Sequence, residues 1–293
     1  MPVAQRTRES GNTGERKQNP LASTSPRSRA LTPLPRTVFA LCRREAKKFM
    51  RDRSRLFGAL AQPVGFWLLL GLGFQGAFQM PGGPTGADTS YLEFLFPGIV
   101  VLMVLFTAIF STISVVDERR EGFLQAALVA PVPRIGLALG NAAGGTLLAA
   151  GQAVLFLAAA PLVGLPVSLA GGVFALAVCL LTGLGFTALG FAIAWQMEST
   201  RGYHTVMNVL LIPLWLLSGA PFPVEGAAPI LRWIVYANPV SYTVSGLRQA
   251  LYGFGPAAAP QALASPGVCL SVTVVFAAAM LLLAARQARR PLF

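Results

Sequence analysis

The positions of the lysines show whether this sequence contains a nucleotide-binding motif. A phosphate-binding Walker A loop ends in Gly-Lys-Ser or Gly-Lys-Thr, because backbone amides and the lysine ammonium together hold the phosphates. None of the three lysines, Lys17, Lys47 and Lys48, follows a glycine. The chain therefore has no such loop, and we predict that it is not itself an ATP-hydrolysing enzyme.

The single histidine, His204, limits the remaining catalytic chemistry. A zinc site of the HExxH type needs two histidines. A serine protease would have to pair His204 with a serine such as Ser218, which lies about 21 Å away along a continuous helix. Cys42, Cys179 and Cys269 are odd in number and widely spaced, so they predict neither a disulfide framework nor a metal site. We predict no catalytic residue, no metal site and no cofactor in this chain.

The composition is that of a membrane protein. Of 293 residues, 54% are hydrophobic and 12% are charged, whereas soluble proteins carry about 25% charged residues. The net charge of +12 is concentrated near the start, where 14 of the 23 Lys and Arg lie between Arg6 and Arg55. A basic N-terminal segment followed by a nearly uncharged, apolar chain is typical of a membrane protein with a cytosolic tail and not of a nucleic-acid-binding protein.

Six segments of low charge are interpreted as membrane spans. They cover residues 57–78, 94–116, 135–160, 167–195, 205–217 and 266–285. With this topology, 21 Lys and Arg lie on the side of the N-terminus and two on the other side. The positive-inside rule then predicts a multi-pass protein of the bacterial inner membrane with both termini in the cytoplasm. The predicted fold is an all-α membrane protein, with a disordered basic cytoplasmic tail at 1–34 and a six-helix transmembrane domain at 57–293.

Two amphipathic segments are predicted on the cytoplasmic side. Residues 35–56 have apolar residues at helical spacing and a separate basic ladder at intervals of four, which indicates an interfacial helix. In residues 117–133, a charged group is followed by apolar residues and then by Pro131-Val132-Pro133. This second segment predicts a short helix with an apolar face at the cytoplasmic surface.

The outer segment 220–265 is too apolar for a solvated loop, and it predicts a re-entrant or interfacial structure. It contains Asn238-Pro239, which is similar to the turns of water channels, but those folds use two such turns and the other Asn-Pro here lies in the tail. The predicted spans hold no Asp, Glu, Lys or Arg apart from their ends, which argues against ion coupling.

Three groups of residues together resemble the type-2 ABC exporter permeases. One group lies in the outer segment, at 217–223, 231–233, 238–242 and 247–248. Another opens the second span at 91–98, and the third lies at 121–124 with 130–131 and Arg134. The resemblance covers about residues 36–290. It departs at Asn141, where relatives commonly carry Lys, and at Val240, where Leu is more usual.

The resemblance implies a six-helix half-transporter of a drug, lipid or polysaccharide exporter, as in multidrug efflux. Such a chain pairs with a second copy of itself and binds a cytosolic ABC ATPase subunit, which holds the ATP and Mg²⁺. The two cytosolic helices would dock on that ATPase, which implies these coupling residues: Arg43, Lys47, Arg51, Glu118, Arg119, Arg120, Glu121, Gly122, Phe123, Leu124 and Leu128. The family signature in the outer segment comprises Ser218, Gly219, Pro221, Pro223, Trp233, Asn238, Pro239, Tyr242 and Arg248.

We therefore expect a permease subunit that lies in membrane lipid and moves an amphiphilic or hydrophobic substrate out of the cytoplasm. Its energy would come from ATP hydrolysed by a separate subunit. A membrane scaffold or assembly protein without transport is the alternative, and a passive channel is a further one.

Overall fold

The computed structural model describes residues 34–51, 53–74, 90–121, 134–224, 227–254, 259 and 262–289. These residues form helices and contain no strand, which confirms the all-α prediction for the described part of the chain. The helices are α1 (Leu34–Arg51), α2 (Arg53–Gly73), α3 (Tyr91–Ser111), α4 (Ile113–Arg120), α5 (Arg134–Leu157), α6 (Leu169–Ala194), α7 (Thr200–Leu216), α8 (Pro229–Ala237), α9 (Pro239–Tyr252) and α10 (Pro266–Arg289). A short 3-10 helix, Ala160–Val163, follows α5.

The central helix of the fold is α3. It packs against α2, α5, α6 and α9, and its side chains from Phe94 to Ile109 are all buried. The helix begins at Ser90, whose hydroxyl accepts a hydrogen bond from the Leu92 amide and so satisfies one of the free N–H groups of the first turn. A helix that is apolar on every side has to be covered by protein or by lipid, and here the side chains are buried in protein. The other helices are therefore arranged around α3.

Within the described residues, four helices are long and apolar enough to cross a membrane: Tyr91–Arg120, Ile135–Leu157, Leu169–Ala194 and Pro266–Arg289. They correspond to the predicted second, third, fourth and sixth spans. The predicted first span contains a shorter apolar helix, Ala61–Gly73, and the predicted fifth span is α7, with 17 residues. Residues 53–56, predicted at the end of the interfacial helix, lie instead at the start of α2.

The amphipathic helix α1 lies against α5. A Cβ atom at Gly140 would come within 2.6 Å of the Leu41 Cβ, so this close approach of the two helices depends on glycine. On α1, Arg43, Lys47 and Arg51 are exposed, as the predicted basic ladder requires. The tail residues 1–33 and the predicted short helix after Glu121 lie outside the described residues.

After α7 the chain turns and forms the short helices α8 and α9. The two are joined at Asn238, which has extended backbone and caps α9. Most of α9 is buried against α3, α6 and α10, whereas α8 exposes Ile230 and Trp233, at 74% and 77%. In the described part of the predicted re-entrant segment, α9 is thus largely buried, whereas α8 buries Val235 and leaves most of its other side chains exposed.

Candidate functional site

The charged end of α4 contacts two helices that are distant in sequence. An Arg44 guanidinium nitrogen, Nη2, donates a hydrogen bond to Glu118 Oε1 at 2.6 Å, which joins α1 to α4. The Thr200 hydroxyl donates to Asp117 Oδ1 at 2.9 Å, which joins the first residue of α7 to α4. Both contacts connect elements that the sequence places on the cytoplasmic side.

The next residue of α4 reaches a third element. Arg119 donates from Nη1 to the Trp195 carbonyl oxygen at 2.7 Å, and its Nη2 lies 3.9 Å from Glu198 Oε1. Trp195 and Glu198 lie in the connection between α6 and α7. Successive residues of a helix point about 100° apart. Three adjacent residues of α4 therefore contact three different elements: Asp117 contacts α7, Glu118 contacts α1, and Arg119 contacts the α6–α7 connection.

These polar contacts differ in their shielding from solvent. The Glu118 side chain is 13% exposed and Arg119 is 17% exposed, whereas Glu198 is 86% exposed. An ion pair with one fully solvated partner contributes little to stability. The Arg44–Glu118 pair and the Arg119–Trp195 hydrogen bond are therefore better shielded than the Arg119–Glu198 pair, and they hold the end of α4 together with the Thr200–Asp117 hydrogen bond.

The predicted coupling residues divide into three groups. Glu118 and Arg119 take part in the contacts just described, and Arg120 and Glu121 are exposed at the end of α4. Arg43, Lys47 and Arg51, the basic ladder of α1, are exposed to solvent. The side chain of α1 that binds Glu118 is instead the neighbouring Arg44. The remaining predicted residues, Gly122, Phe123, Leu124 and Leu128, lie outside the described residues.

The break between α3 and α4 provides a second connection to α7. The Thr112 amide donates to Ile109 O at 3.0 Å in place of a regular helical bond. The Thr112 and Tyr203 hydroxyls are 2.5 Å apart, and Tyr203 also donates to Ile109 O at 3.2 Å. Tyr203 is fully buried and stands one turn beyond Thr200. The segment from Thr112 to the end of α4 therefore contacts α7 through two pairs of side chains, Thr112–Tyr203 and Asp117–Thr200.

On the opposite end of the fold, Arg248 of α9 holds the turn that follows α7. Its Nη2 donates to the carbonyl oxygens of Gly219 at 2.9 Å and Ala220 at 3.2 Å. The guanidinium also lies 4.3 Å from the centre of the Phe94 ring, a cation–π distance.

The same turn is fixed by its own backbone and by α3. Gly219 has φ +73°, a conformation that suits glycine. The Ser218 hydroxyl donates to Trp215 O at 2.6 Å, and the Tyr91 hydroxyl donates to Pro221 O at 2.8 Å. These contacts join the end of α7 to the first turn of α3.

Asn238 connects the two short outer helices to α7. Its Nδ2 donates to Leu214 O at 2.6 Å, and its Oδ1 accepts from the Val240 amide at 2.9 Å, which caps α9. Pro239 occupies the first position of α9, where the missing N–H costs least. The Asn-Pro pair therefore has a structural role as a helix start.

The structure brings most of the predicted signature residues together. Those at the turn or at the start and middle of α9 are Ser218, Gly219, Pro221, Pro223, Asn238, Pro239 and Arg248. Trp233 is exposed on α8, and the Tyr242 hydroxyl donates to Tyr236 O at 3.0 Å near the surface. Sequence reasoning missed Trp215, whose indole N–H donates to Gly98 O at 2.7 Å. Its signal was a tryptophan within a predicted span.

A family model described as ABC-2 type transporter matches residues 36–252. The chain belongs to this family. It is an ABC-2 permease, the membrane subunit of a transporter. The match begins within α1 and ends at Tyr252, the last residue of α9. It therefore includes the contacts of α4 with α1 and α7, and also the turn held by Arg248.

Curated relatives of this ABC-2 permease carry consistent names. The chain is 30% identical over 215 residues to a putative transport permease ycf38 of Porphyra purpurea, a match that covers 72% of each protein. It is 29% identical over 203 residues to nodulation protein J of Sinorhizobium fredii, covering 68% of this chain and 74% of the relative. It is 27% identical over 167 residues to the inner membrane transport permease YadH of Escherichia coli, covering 56% and 63%, respectively.

Proposed function

We propose that this ABC-2 permease is an exporter subunit that pairs with a second copy of itself. It would move an amphiphilic or hydrophobic substrate out of a bacterial cell, using ATP and Mg²⁺ bound by a separate cytosolic ABC ATPase. The observation that carries the proposal is the set of contacts by which α4 joins α1 to α7. Through these contacts a force on the cytoplasmic surface has a direct route to a membrane helix.

The proposed topology has six spans, formed by α2, α3 with α4, α5, α6, α7 and α10. The span formed by α7 needs support, because its 17 residues extend about 26 Å at 1.5 Å per residue, which is less than the roughly 30 Å of hydrocarbon. The turn after Leu216 and the helices α8 and α9 would complete the outer half as a re-entrant segment. Ile230 and Trp233, exposed on α8, suit the lipid headgroup layer.

The orientation rests on the distribution of charge. The basic residues of the tail, of α1 and of the end of α10 would lie in the cytoplasm of the inner membrane, together with both termini. The tail at 1–34 has the polar, Arg-rich and Pro-rich composition of a disordered segment. The ATPase would bind the cytoplasmic surface formed by α1, the end of α4 and residues 122–130, including Phe123 and Leu124.

The test is to co-express the chain with a cytosolic ABC ATPase of the same organism and reconstitute the complex in lipid vesicles. We expect ATP hydrolysis to be stimulated by a transported fluorescent amphiphile. Glu118→Gln removes the charge that holds Arg44 and should reduce this stimulation. The control is Arg289→Gln, which removes an exposed charge at the end of α10, outside the assigned coupling residues.

The outcomes separate the alternatives. A complex that hydrolyses no ATP and moves no amphiphile would support a scaffold, and amphiphile flux without ATP would support a passive channel. Stimulation that is equal in Glu118→Gln and in the unmodified chain would contradict the assigned route through α4.

A further inference from the structure

A small cavity lies where α1, α4, α5 and α6 meet, beside the Arg44–Glu118 pair. Its volume is about 20 Å³, and its polar lining residues are Arg44, Glu118 and Asn141. The remaining lining residues are apolar: Leu41, Val115, Leu137 and Phe191. The cavity therefore brings the amide of one α5 residue to the two charged side chains that join α1 to α4.

The amide of Asn141 has an unused hydrogen-bond acceptor. The residue is 7% exposed, and its Oδ1 atom is buried and accepts no hydrogen bond from the residues that the structure describes. A buried acceptor without a donor destabilises a fold, and most such atoms are therefore satisfied by protein or by ordered water. A donor for this oxygen is accordingly expected in the cavity that Asn141 lines.

The packing of α5 against α3 and α4 fixes Asn141 at this point. The Thr107 hydroxyl of α3 donates a hydrogen bond to Gln152 Oε1 of α5. Two turns closer to the start of α5, a Cβ atom at Gly145 would overlap the Ser111 Oγ, so the helices touch at a glycine. The two helices thus run antiparallel, and one further turn along α5 brings Asn141 to the cavity.

Size and charge select the occupant of the cavity. One water molecule needs about 10–15 Å³ of such space and two to four polar partners, and the cavity provides both. A cation would be repelled by Arg44, and an anion would be repelled by Glu118. A neutral molecule that both donates and accepts hydrogen bonds is therefore favoured, and water is the one that fits this volume.

We propose that this cavity binds one water molecule, which donates to Asn141 Oδ1 and also contacts the Arg44–Glu118 pair. The Glu118 carboxylate can accept further hydrogen bonds beside the one from Arg44, because its two oxygens have about four acceptor sites. The water joins α5 to α1 and α4, and through it Asn141 acts as a positioning residue for the pair. This site belongs to the permease alone and does not depend on the proposed export function.

The water is tested by X-ray hydroxyl-radical labelling of the full-length permease in lipid nanodiscs, with mass spectrometry as the readout. A short X-ray pulse converts water to hydroxyl radicals, which oxidise side chains beside a bound water even where bulk solvent has no access. Phe191 lines the cavity and Phe186 lies elsewhere on α6, and the two are 2% and 1% exposed. We expect Phe191 to be oxidised several-fold more than Phe186. Equal oxidation of the two rings would overturn the proposal.

Substitutions of Asn141 show whether the labelling comes from the cavity. Leucine has nearly the shape of asparagine without its hydrogen-bonding atoms, so Asn141→Leu should reduce oxidation of Phe191 to the level of Phe186. Asn141→Ser keeps a hydrogen-bonding oxygen and should retain the labelling. The matched control is Gln152→Met, which removes another buried amide of α5 that does not line the cavity, and it should leave Phe191 oxidation unchanged. Labelling that persists in Asn141→Leu, or that falls equally in Gln152→Met, would overturn the proposal.

The positioning role is measured with a double-mutant cycle of thermal unfolding in the same nanodiscs. Glu118→Gln should lower the unfolding midpoint of the unmodified chain. In the Asn141→Leu background we expect it to lower the midpoint by about half as much, because residues of one hydrogen-bond network are not additive. The control Tyr203→Phe acts at a separate contact and should lower the midpoint equally in both backgrounds.

Equal losses for Glu118→Gln in the two backgrounds would show that Asn141 acts independently of the pair and would overturn its positioning role. None of these measurements uses ATP or a partner subunit. Failure of the proposed export function would therefore leave their results unchanged, and failure here would leave the export function untouched.

Discussion

The Arg44 guanidinium of α1 and the Glu118 carboxylate of α4 meet at 2.6 Å, although 74 residues separate them in sequence. Because the pair is partly shielded, reversing one charge should cost about 1 kcal/mol. We expect Glu118→Lys to lower the midpoint of thermal unfolding by about 2 °C. The double variant Arg44→Glu, Glu118→Lys should recover most of the loss, as measured by fluorescence in detergent.

The neighbouring Arg43 provides the control for this pair, because it is exposed on the same helix. Arg43→Glu combined with Glu118→Lys should give no recovery. If this double variant recovered as much stability as Arg44→Glu, Glu118→Lys does, the stabilising effect would not come from a specific contact between Arg44 and Glu118.

The Tyr203 hydroxyl should contribute measurably to stability, because it is buried and lies beside the Thr112 hydroxyl and Ile109 O. Tyr203→Phe removes the hydroxyl without changing the ring. The loss should be about 1 kcal/mol, visible as a fall of about 2 °C in the unfolding midpoint. The matched control is Tyr242→Phe, whose hydroxyl bonds to Tyr236 O at the surface. A fall for Tyr242→Phe as large as that for Tyr203→Phe would contradict the buried connection.

The two arginines of the outer segment should differ sharply. Arg248→Met leaves the carbonyl oxygens of Gly219 and Ala220 without their buried donor, at a cost of about 2 kcal/mol. Arg232→Met removes an exposed residue of α8 and should change stability by less than about 0.5 kcal/mol. Thermal unfolding of the two variants in the same detergent gives the comparison, and equal losses would mean that Arg248 does not hold the turn.

Much of the helical framework was predictable, because long apolar runs and the spacing of α1 are local properties of the sequence. The second, third, fourth and sixth predicted spans each contain a helix long and apolar enough to cross a membrane. The limits of α1 were less predictable, since no proline or glycine separates residues 52–56 from the helix before them.

The contacts of the site were predictable only in part. Arg43 and Arg44 are adjacent in the sequence, and the pattern does not tell which of them faces Glu118. That depends on the orientation of α1 about its own axis where it packs against Gly140 of α5. Nothing local could reveal this orientation. The signature likewise identified Gly219 and Arg248, but their contact depends on α9 packing against the turn across 29 residues of sequence.

The backbone of Gly219 supports a prediction in which two similar substitutions have opposite signs. A Cβ atom at Gly219 would lie 2.6 Å from Val224 Cγ2, and the backbone φ of +73° is one that residues with an L side chain rarely adopt. Gly219→Ala should therefore destabilise the protein by about 1–2 kcal/mol. At Gly267, in the first turn of α10, a Cβ atom meets nothing within 4 Å. Gly267→Ala should therefore be neutral or stabilising by up to about 1 kcal/mol, because alanine favours the helix. The unfolding midpoints of the two variants test this contrast. A Gly219→Ala variant as stable as the unmodified chain would show that the turn is not held in the left-handed conformation, and would remove the basis for Arg248 as its anchor.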